Sequence, residues 1–437
     1  MDVTWPTRKL RDLADIRVSN VDKKVQPNEK AVNLCNYLDV YSNEYVSNRI
    51  QFMEGSASTA EIDRFGLNCG DVIITKDSET PDDIGISTVI LEEIPNLVCG
   101  YHLALIRPNV DELDPIYLAK QLSTSNVARY FAIHASGSTR YGLPISVIES
   151  TEIPTPPKTE QKIIAEVLST VDQAIEQTEA LIAKQQRIKT GLMQDLLTRG
   201  IDEHGNNRSE QTHRFIDSPL GRIPYDWTVQ ELSSRALVKG GKRLPTGHVY
   251  SLSDTGYRYL QTTDFISKQL NYHALHNLFE KTFKMLERYE IIEGDVFISI
   301  AGVNLGVAGV FRPNFEDRTI LTENAAKVYI LTDDIPEYLV MQINGPTVQR
   351  QILEDKGIGA GVPKLALFRI KQFLIPWPSR EEQQQIVRRL QFINIYIQHQ
   401  KDIYRKLRSL KTALMQDLLT GRKRVTPLMK DMEVRNG

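Results

Sequence analysis

Apolar residues recur at steps of four and three along two long stretches of the chain. The first carries Ile164, Leu168, Val171, Ile175, Ile182, Ile188, Leu192 and Leu196; the second carries Ile386, Leu390, Ile393, Ile397, Tyr404, Leu407, Leu414 and Leu418. Such spacing draws one apolar stripe down a helix, the seam of a coiled coil. No proline interrupts either stretch, and Gly191 is the one internal glycine. Thr159 stands where it can cap the first, Ser379 and Glu382 have capping-box spacing at the second, and Gly200 and Gly421 follow the ends. A left-handed cap is easiest at glycine. The pattern predicts helices over 159–200 and 381–424, each about 40 residues or roughly 60 Å long. Thr178, Gln185, Gln400 and Lys411 enter the seam, where polar residues fix register and partner choice. Two equivalent helices in one chain are expected to pack on each other, antiparallel.

These helices end alike. LMQDLLT occurs at Leu192–Thr198 and again at Leu414–Thr420, 222 residues on. At the same offset Glu160, Gln161, Ile164 and Leu168 match Glu382, Gln383, Ile386 and Leu390, and Ile153-Pro154-x-Pro156 matches Ile375-Pro376-x-Pro378. Trp5 with Leu10 matches Trp227 with Leu232, while Gly70-Asp71-Val72 pairs with Gly294-Asp295-Val296 after a small gap. The chain is therefore one unit written twice, with similar frames around dissimilar middles.

The middles mix short β-rich runs with helical pieces. Val72–Thr75, Leu103–Ile106, Val296–Ile300 and Val328–Leu331 read as strands; Ile116–Arg129 and Pro336–Glu354 read as helices. The class is α+β, without the steady βαβ alternation of a nucleotide-binding fold. The division is 1–158 globular, 159–200 helix, 201–224 polar linker, 225–380 globular, 381–424 helix and 425–437 tail.

Composition narrows the function. The chain of 437 residues has 41% hydrophobic and 25% charged residues, ordinary for a soluble protein. Three cysteines, Cys35, Cys69 and Cys99, form no CxxC pair and fit a reducing cytoplasm. The longest uncharged run, Val296 to Phe311, is short for a membrane span and reads as two buried strands around a turn. Net charge of −2 argues mildly against nucleic acid, so any DNA surface must be a local basic patch or be completed by a partner. The second helix leans basic, with ten Lys/Arg against four Asp/Glu over 381–424.

Catalytic signatures are missing. There is no GxxxxGK[ST] loop, no GxGxxG after a strand, and no Asn-Pro-Pro-aromatic sequence of the kind amino-methyltransferases use. Glu354-Asp355-Lys356 has the acid-x-Lys spacing of some nucleases, a common triplet, and His273 with His276 has no further metal ligand nearby.

Several loops have the chemistry to meet DNA. Gly137-Ser138-Thr139-Arg140-Tyr141-Gly142 offers two hydroxyls, a guanidinium and a ring between glycines that permit close approach, and Gly357 to Lys364 occupies the same place in the second unit. Lys239, Lys242 and Arg243 make a compact basic loop suited to phosphates. Thr75, Lys76 and Asn304 follow the matched Gly-Asp-Val strands.

The doubled frame, from Trp-x4-Leu through Gly-Asp-Val, Ile-Pro-x-Pro and the Glu-Gln helix start to the LMQDLLT end, resembles the specificity subunits of type I restriction–modification systems over nearly the whole chain. The resemblance implies two target-recognition domains separated by two antiparallel coiled-coil helices in a pseudo-two-fold repeat. Each domain would read half of a bipartite, asymmetric site in double-stranded DNA. The helices would set the spacing and bind two methyltransferase subunits, for which Leu192, Met193, Leu196, Leu197, Leu414, Met415, Leu418 and Leu419 are the candidate contacts. Motor–nuclease subunits would complete the assembly in the cytoplasm. S-adenosylmethionine, ATP and magnesium would be used by the partners, with no catalytic residue, cofactor or metal on this chain. A self-sufficient modification enzyme and a coiled-coil scaffold without a DNA role are the alternatives.

Overall fold

The computed structural model describes residues 5–266, 269–354 and 364–426. The chain forms two compact units, one of Met1–Ala180 with Asp402–Gly437 and one of Leu181–Lys401. The boundary cuts both long helices, Lys158–Thr198 and Arg380–Leu418. Each unit therefore owns a globular part, the start of the helix that follows it, and the far end of the other helix.

In the first unit a five-stranded sheet runs Ala14–Val18, Leu103–Pro108, Val72–Thr75, Ser87–Ile90, Tyr45–Val46. Side chains alternate faces along a strand, so its central strands face two cores. Val72, Ile74, Ala104 and Ile106 pack with Tyr117, Leu118, Ile164, Leu168, Leu418 and Leu419. Ile73, Leu103 and Leu105 pack on the other side with Val32, Leu34 and Val98, from a three-stranded sheet of Met53–Ala57, Lys30–Cys35 and Leu97–Cys99. Burial on both faces is why these strands read as unbroken apolar runs.

The second unit repeats the plan. Its sheet runs Ala236–Gly240, Ala325–Ile330, Val296–Ser299, Ala308–Val310. Val296, Ile298, Ala326 and Val328 pack with Tyr338, Leu339, Ile386, Leu390, Leu196 and Leu197, while Phe297 and Ala325 face Leu260, Ile291 and Leu321.

The helices run antiparallel within each unit. In the first, Glu160 binds Arg424, Asp172 binds Lys411 and Glu179 meets Tyr404, so numbers rise along one partner as they fall along the other. In the second, Glu382 at the start of one helix accepts the Ile201 amide, just past the end of the other, at 2.8 Å.

Several expectations need correction. Ile116–Arg129 is two helices, Pro115–Leu122 and Ser125–His134, because the Ser123 and Thr124 hydroxyls donate to the Ala119 and Gln121 carbonyls and close the first, while Thr124 turns extended before the second. Pro346 likewise splits Pro336–Asn344 from Pro346–Glu354, since proline has no amide hydrogen to continue a ladder. The polar linker holds a hairpin, Phe215–Ser218 with Gly221–Pro224, and buries Ile201 and Ile223. Thr159 lies inside the first helix, which begins at Lys158. The Ser379 box is half made: its hydroxyl accepts the Glu382 amide at 3.2 Å, but the Glu382 carboxylate faces Ile201, Trp227 and Arg208. Gly200 and Gly421 do adopt positive φ, at 67° and 73°.

Candidate nucleic-acid interface

Three chain segments meet at the end of the central strands, wired identically in both units. In the first, strand Val72–Thr75 exits into Lys76-Asp77-Ser78, and the Lys76 amide donates to the His102 carbonyl at 2.8 Å. The Leu143 amide then donates to the Lys76 carbonyl at 2.8 Å, tying in the glycine-framed loop. In the second, the Ile300 amide donates to Asn324 and the Leu365 amide to Ile300, both at 2.8 Å. Backbone bonds are indifferent to side-chain identity, so one frame can hold two sets of side chains.

The first unit's loop is closed by its glycines. Ser136 and Gly142 exchange backbone bonds, Tyr141–Gly142 pairs with Asp77–Ser78, and Gly137 sits at φ 142° where a Cβ would lie 2.0 Å from the Arg140 carbonyl oxygen. Ser138, Thr139 and Arg140 are exposed and Tyr141 half-buried. Lys76 places its ammonium on Asp77 at 2.6 Å. Thr75 departs from expectation: it is 0% exposed, and its hydroxyl accepts the Ile86 amide at 3.0 Å. It braces the neighbouring strand and offers DNA no surface.

In the second unit Lys239 lies exposed on strand Ala236–Gly240, so the compact basic loop is only Gly241–Arg243. Gly241 is pressed there against the Thr322 carbonyl oxygen, which a Cβ would meet at 2.0 Å. Lys242 and Arg243 are exposed, and Arg243 Nε donates to Glu323 at 2.8 Å. Burial pushes the carboxyl of Glu323 up, but the Arg243 and Thr322 bonds outweigh it and hold it below the ordinary range. Arg243, Tyr250, Tyr259, Gln261, Glu323 and Asn324 are among the residues lining a pocket of about 180 Å³. Burial pushes the Tyr259 phenol up to about 12, so it stays a donor, here to the Lys242 carbonyl at 2.8 Å. Asn304 is half-buried and gives its amide to the Thr262 carbonyl. Lys364 is exposed and bridged to Ala301; the rest of its loop, 357–363, and Asp355-Lys356 lie outside the described residues.

Sequence reasoning missed Asp77, Tyr101, His102 and Glu323. The signal was present, because Tyr101-His102 stands before its strand where Glu323-Asn324 stands before the matching one.

Of the eight residues expected to meet partner subunits, four are buried in the chain's own cores and four are half-buried beside them. Leu196 and Leu197 are fully buried in the second unit's core, with Leu192 and Met193 against it. Leu418 and Leu419 are buried in the first unit's core, flanked by Leu414 and Met415. The last carbonyls are captured too: Gln342 donates to Leu197 at 3.0 Å and Gln121 to Leu419 at 2.8 Å. The repeated LMQDLLT is an internal anchor.

Among the described residues no cluster of three or more His, Cys, Asp or Glu could hold a metal, and no helix is long and apolar enough to cross a membrane. Cys35 and Cys99 lie side by side on neighbouring strands, and burial pushes both thiols up, away from the thiolate a nucleophile needs.

Residues 2–185 and 224–409 match the family described as type I restriction modification DNA specificity domain. The chain belongs to that family. It is a specificity subunit, the non-catalytic member of a type I restriction–modification system. A provisionally named MjaX type I specificity subunit of Methanocaldococcus jannaschii is 25% identical, covering 96% of this chain and 94% of that one. The EcoBI specificity subunit of Escherichia coli is 24% identical over 57% of this chain and 52% of its own. The crystal structure of a type I S subunit from M. genitalium superposes with a TM-score of 0.58 at 15% identity, covering 95% of this chain and 96% of that one. The specificity subunit thus shares that fold through both repeats.

Proposed function

We propose that each unit of this specificity subunit reads one half of a bipartite, asymmetric site in double-stranded DNA. The observation that carries this is the identical backbone wiring around unlike side chains: Lys76, His102 and Arg140 in one unit, Arg243, Glu323 and Asn324 in the other. A fixed frame sets where a reader stands relative to the groove, and its side chains decide which base edges it accepts. Arg140, Lys239, Lys242, Arg243 and Lys364 supply exposed cations for phosphate or guanine; Ser138, Thr139, Tyr141 and Asn304 supply uncharged hydrogen-bonding groups. The long helices set the distance between half-sites. Two methyltransferase subunits dock on this chain, with the half-buried Leu192, Met193, Leu414 and Met415 as the candidate contacts that keep surface to offer, and motor–nuclease subunits join them in the cytoplasm. S-adenosylmethionine, ATP and magnesium serve those partners.

The test exchanges residues 8–150 for the equivalent part of a relative and maps methylation by the reassembled complex. One half of the site should change and the other stay. A change in both halves would show that the units read jointly, and an active complex without sequence preference would remove the DNA-reading role.

A further inference from the structure

His102 occupies a backbone conformation uncommon for any residue but glycine. Its φ is 73°, and among the described non-glycine residues only Asn96 shares a positive value. Asparagine and histidine enter that region more readily than most residues, but for either it is a minority conformation that the surroundings must support. Strained backbone persists where surroundings over-determine it, commonly at ligand contacts. Here the His102 carbonyl is held by the Lys76 amide at 2.8 Å, and the ring by Asp77, whose Oδ2 lies 2.6 Å from Nδ1. Asn324, at the matching place in the second unit, has no positive φ, so the frame alone does not demand the strain.

Asp77 is built to hold the ring. Its carboxylate also takes the Lys76 ammonium at 2.6 Å. Burial alone would raise this carboxyl, but the bonds from Lys76 and His102 win and keep it below the ordinary range. An ionised carboxylate only accepts, so Nδ1 carries the hydrogen and Nε2 is left for an outside partner. Nε2 takes none from the described residues. Tyr101, 40% exposed, lies against the ring with centroids 3.5 Å apart. On the far side Gly142 keeps the glycine-framed loop close, since a Cβ there would come 3.1 Å from Asp77 Oδ1.

We infer that His102 is a specificity-determining contact of the first unit, presenting Nε2 to a base edge of its half-site, with Asp77 as the positioning residue. This rests on the DNA-reading role proposed above. Fixing one ring nitrogen converts a rotatable side chain into a single hydrogen-bonding point, which a base edge can match and a phosphate, alike at every step, does not require.

The experiment uses the full chain assembled with its methyltransferase subunits, assayed on a library randomised over the mapped site. His102→Gly and His102→Asn keep the positive φ accessible while removing the ring. Each is expected to lose about 10- to 100-fold discrimination at one base pair of the first half-site, leaving the second half intact. Asp77→Asn should weaken the same base pair, and should add nothing in the His102→Gly background, as expected of one coupled unit. Parent-like discrimination at every position in the His102 variants overturns the inference. So does a uniform loss of affinity across all sequences with a shallower salt dependence, which marks a phosphate contact. A parent complex without preference in that half-site overturns the DNA-reading role, and His102 with it.

Discussion

The two units grip the ends of the long helices with the same glutamine and with opposite chemistry beside it. Gln121 bridges the Tyr117 hydroxyl, at 2.7 Å, and the Leu419 carbonyl; Gln342 bridges the Tyr338 hydroxyl, at 2.7 Å, and the Leu197 carbonyl. The residue before each differs. Lys120 sends a buried ammonium to Asp172 and Glu44, both at 2.5 Å, and Lys411 of the second helix binds the same Asp172 at 2.7 Å. Tyr45 adds its hydroxyl to Asp172 at 2.7 Å. In the second unit Met341 precedes the glutamine, and Asn394, the counterpart of Asp172, is exposed. The shared grip follows from backbone carbonyls that every helix end must satisfy. What lies beside it is free to be a buried ion cluster in one unit and a methionine near an exposed asparagine in the other.

Breaking the cluster should have the largest effect. Lys120 and Asp172 side chains are only 5% and 8% exposed, so Asp172→Asn leaves buried cations under-compensated and should cost about 3 kcal/mol, read by denaturant unfolding. Burial raises the Asp172 carboxyl, yet Lys120, Lys411 and Tyr45 outweigh it and hold it below the usual 3.8. A depressed carboxylate stabilises the fold fully above its unfolded value and loses that contribution as pH falls through the folded value. The gap between parent and variant should therefore persist at neutral pH and close in acid below 3.8. A gap that widens on acidification would contradict the cluster.

Next come the glutamines. Gln121→Leu and Gln342→Leu each strip a buried carbonyl and a tyrosine hydroxyl of a donor, costing about 2 kcal/mol by unfolding. The two should cost alike, because the geometry is alike. A several-fold disparity would mean the grips are not equivalent.

At the interface, Arg140→Ala with Tyr141→Ala should relax the first half-site, and Arg243→Ala the second, each by about 1–2 kcal/mol in site-selection assays. Loss in the opposite half would reverse the assignment of units to half-sites.

Periodicity exposed the helices, the doubled frame and the central strands, since these are set by which side chains must leave water. It could not say what an apolar stripe meets. Leu192 to Leu197 and Leu414 to Leu419 looked the same whether they faced a partner or the chain's own core, and here they enter the core. Thr75 misled because a polar side chain ending a strand is as apt to bind a neighbouring amide as to face solvent. His102 was out of reach because its strain is a dihedral, and its partner Asp77 is 25 residues away in sequence. Of the site, the exposed cations and glycine-framed loop were legible, while the carboxylates that orient nitrogen-bearing side chains needed the fold.

The smallest expected effect tests the same comparison from the other side. Asn394→Asp places a carboxylate in the second unit where Asp172 stands in the first. Lys189 occupies the position of Lys411, which suggests a transplanted pair. Yet Asn394 is exposed and Met341 replaces the buried Lys120, so the new charge would stay hydrated on one side and meet at most one cation. Exposed pairs are screened by water and spend side-chain entropy on holding their geometry, so the gain should be about 0.5 kcal/mol or less and should fade with added salt. Unfolding at low and high ionic strength measures it. A salt-resistant gain above about 1 kcal/mol would place residue 394 in a buried setting. The contrast between a buried ion cluster and its absence would then come down to whether residue 172 or 394 is a carboxylate, with burial no longer separating them.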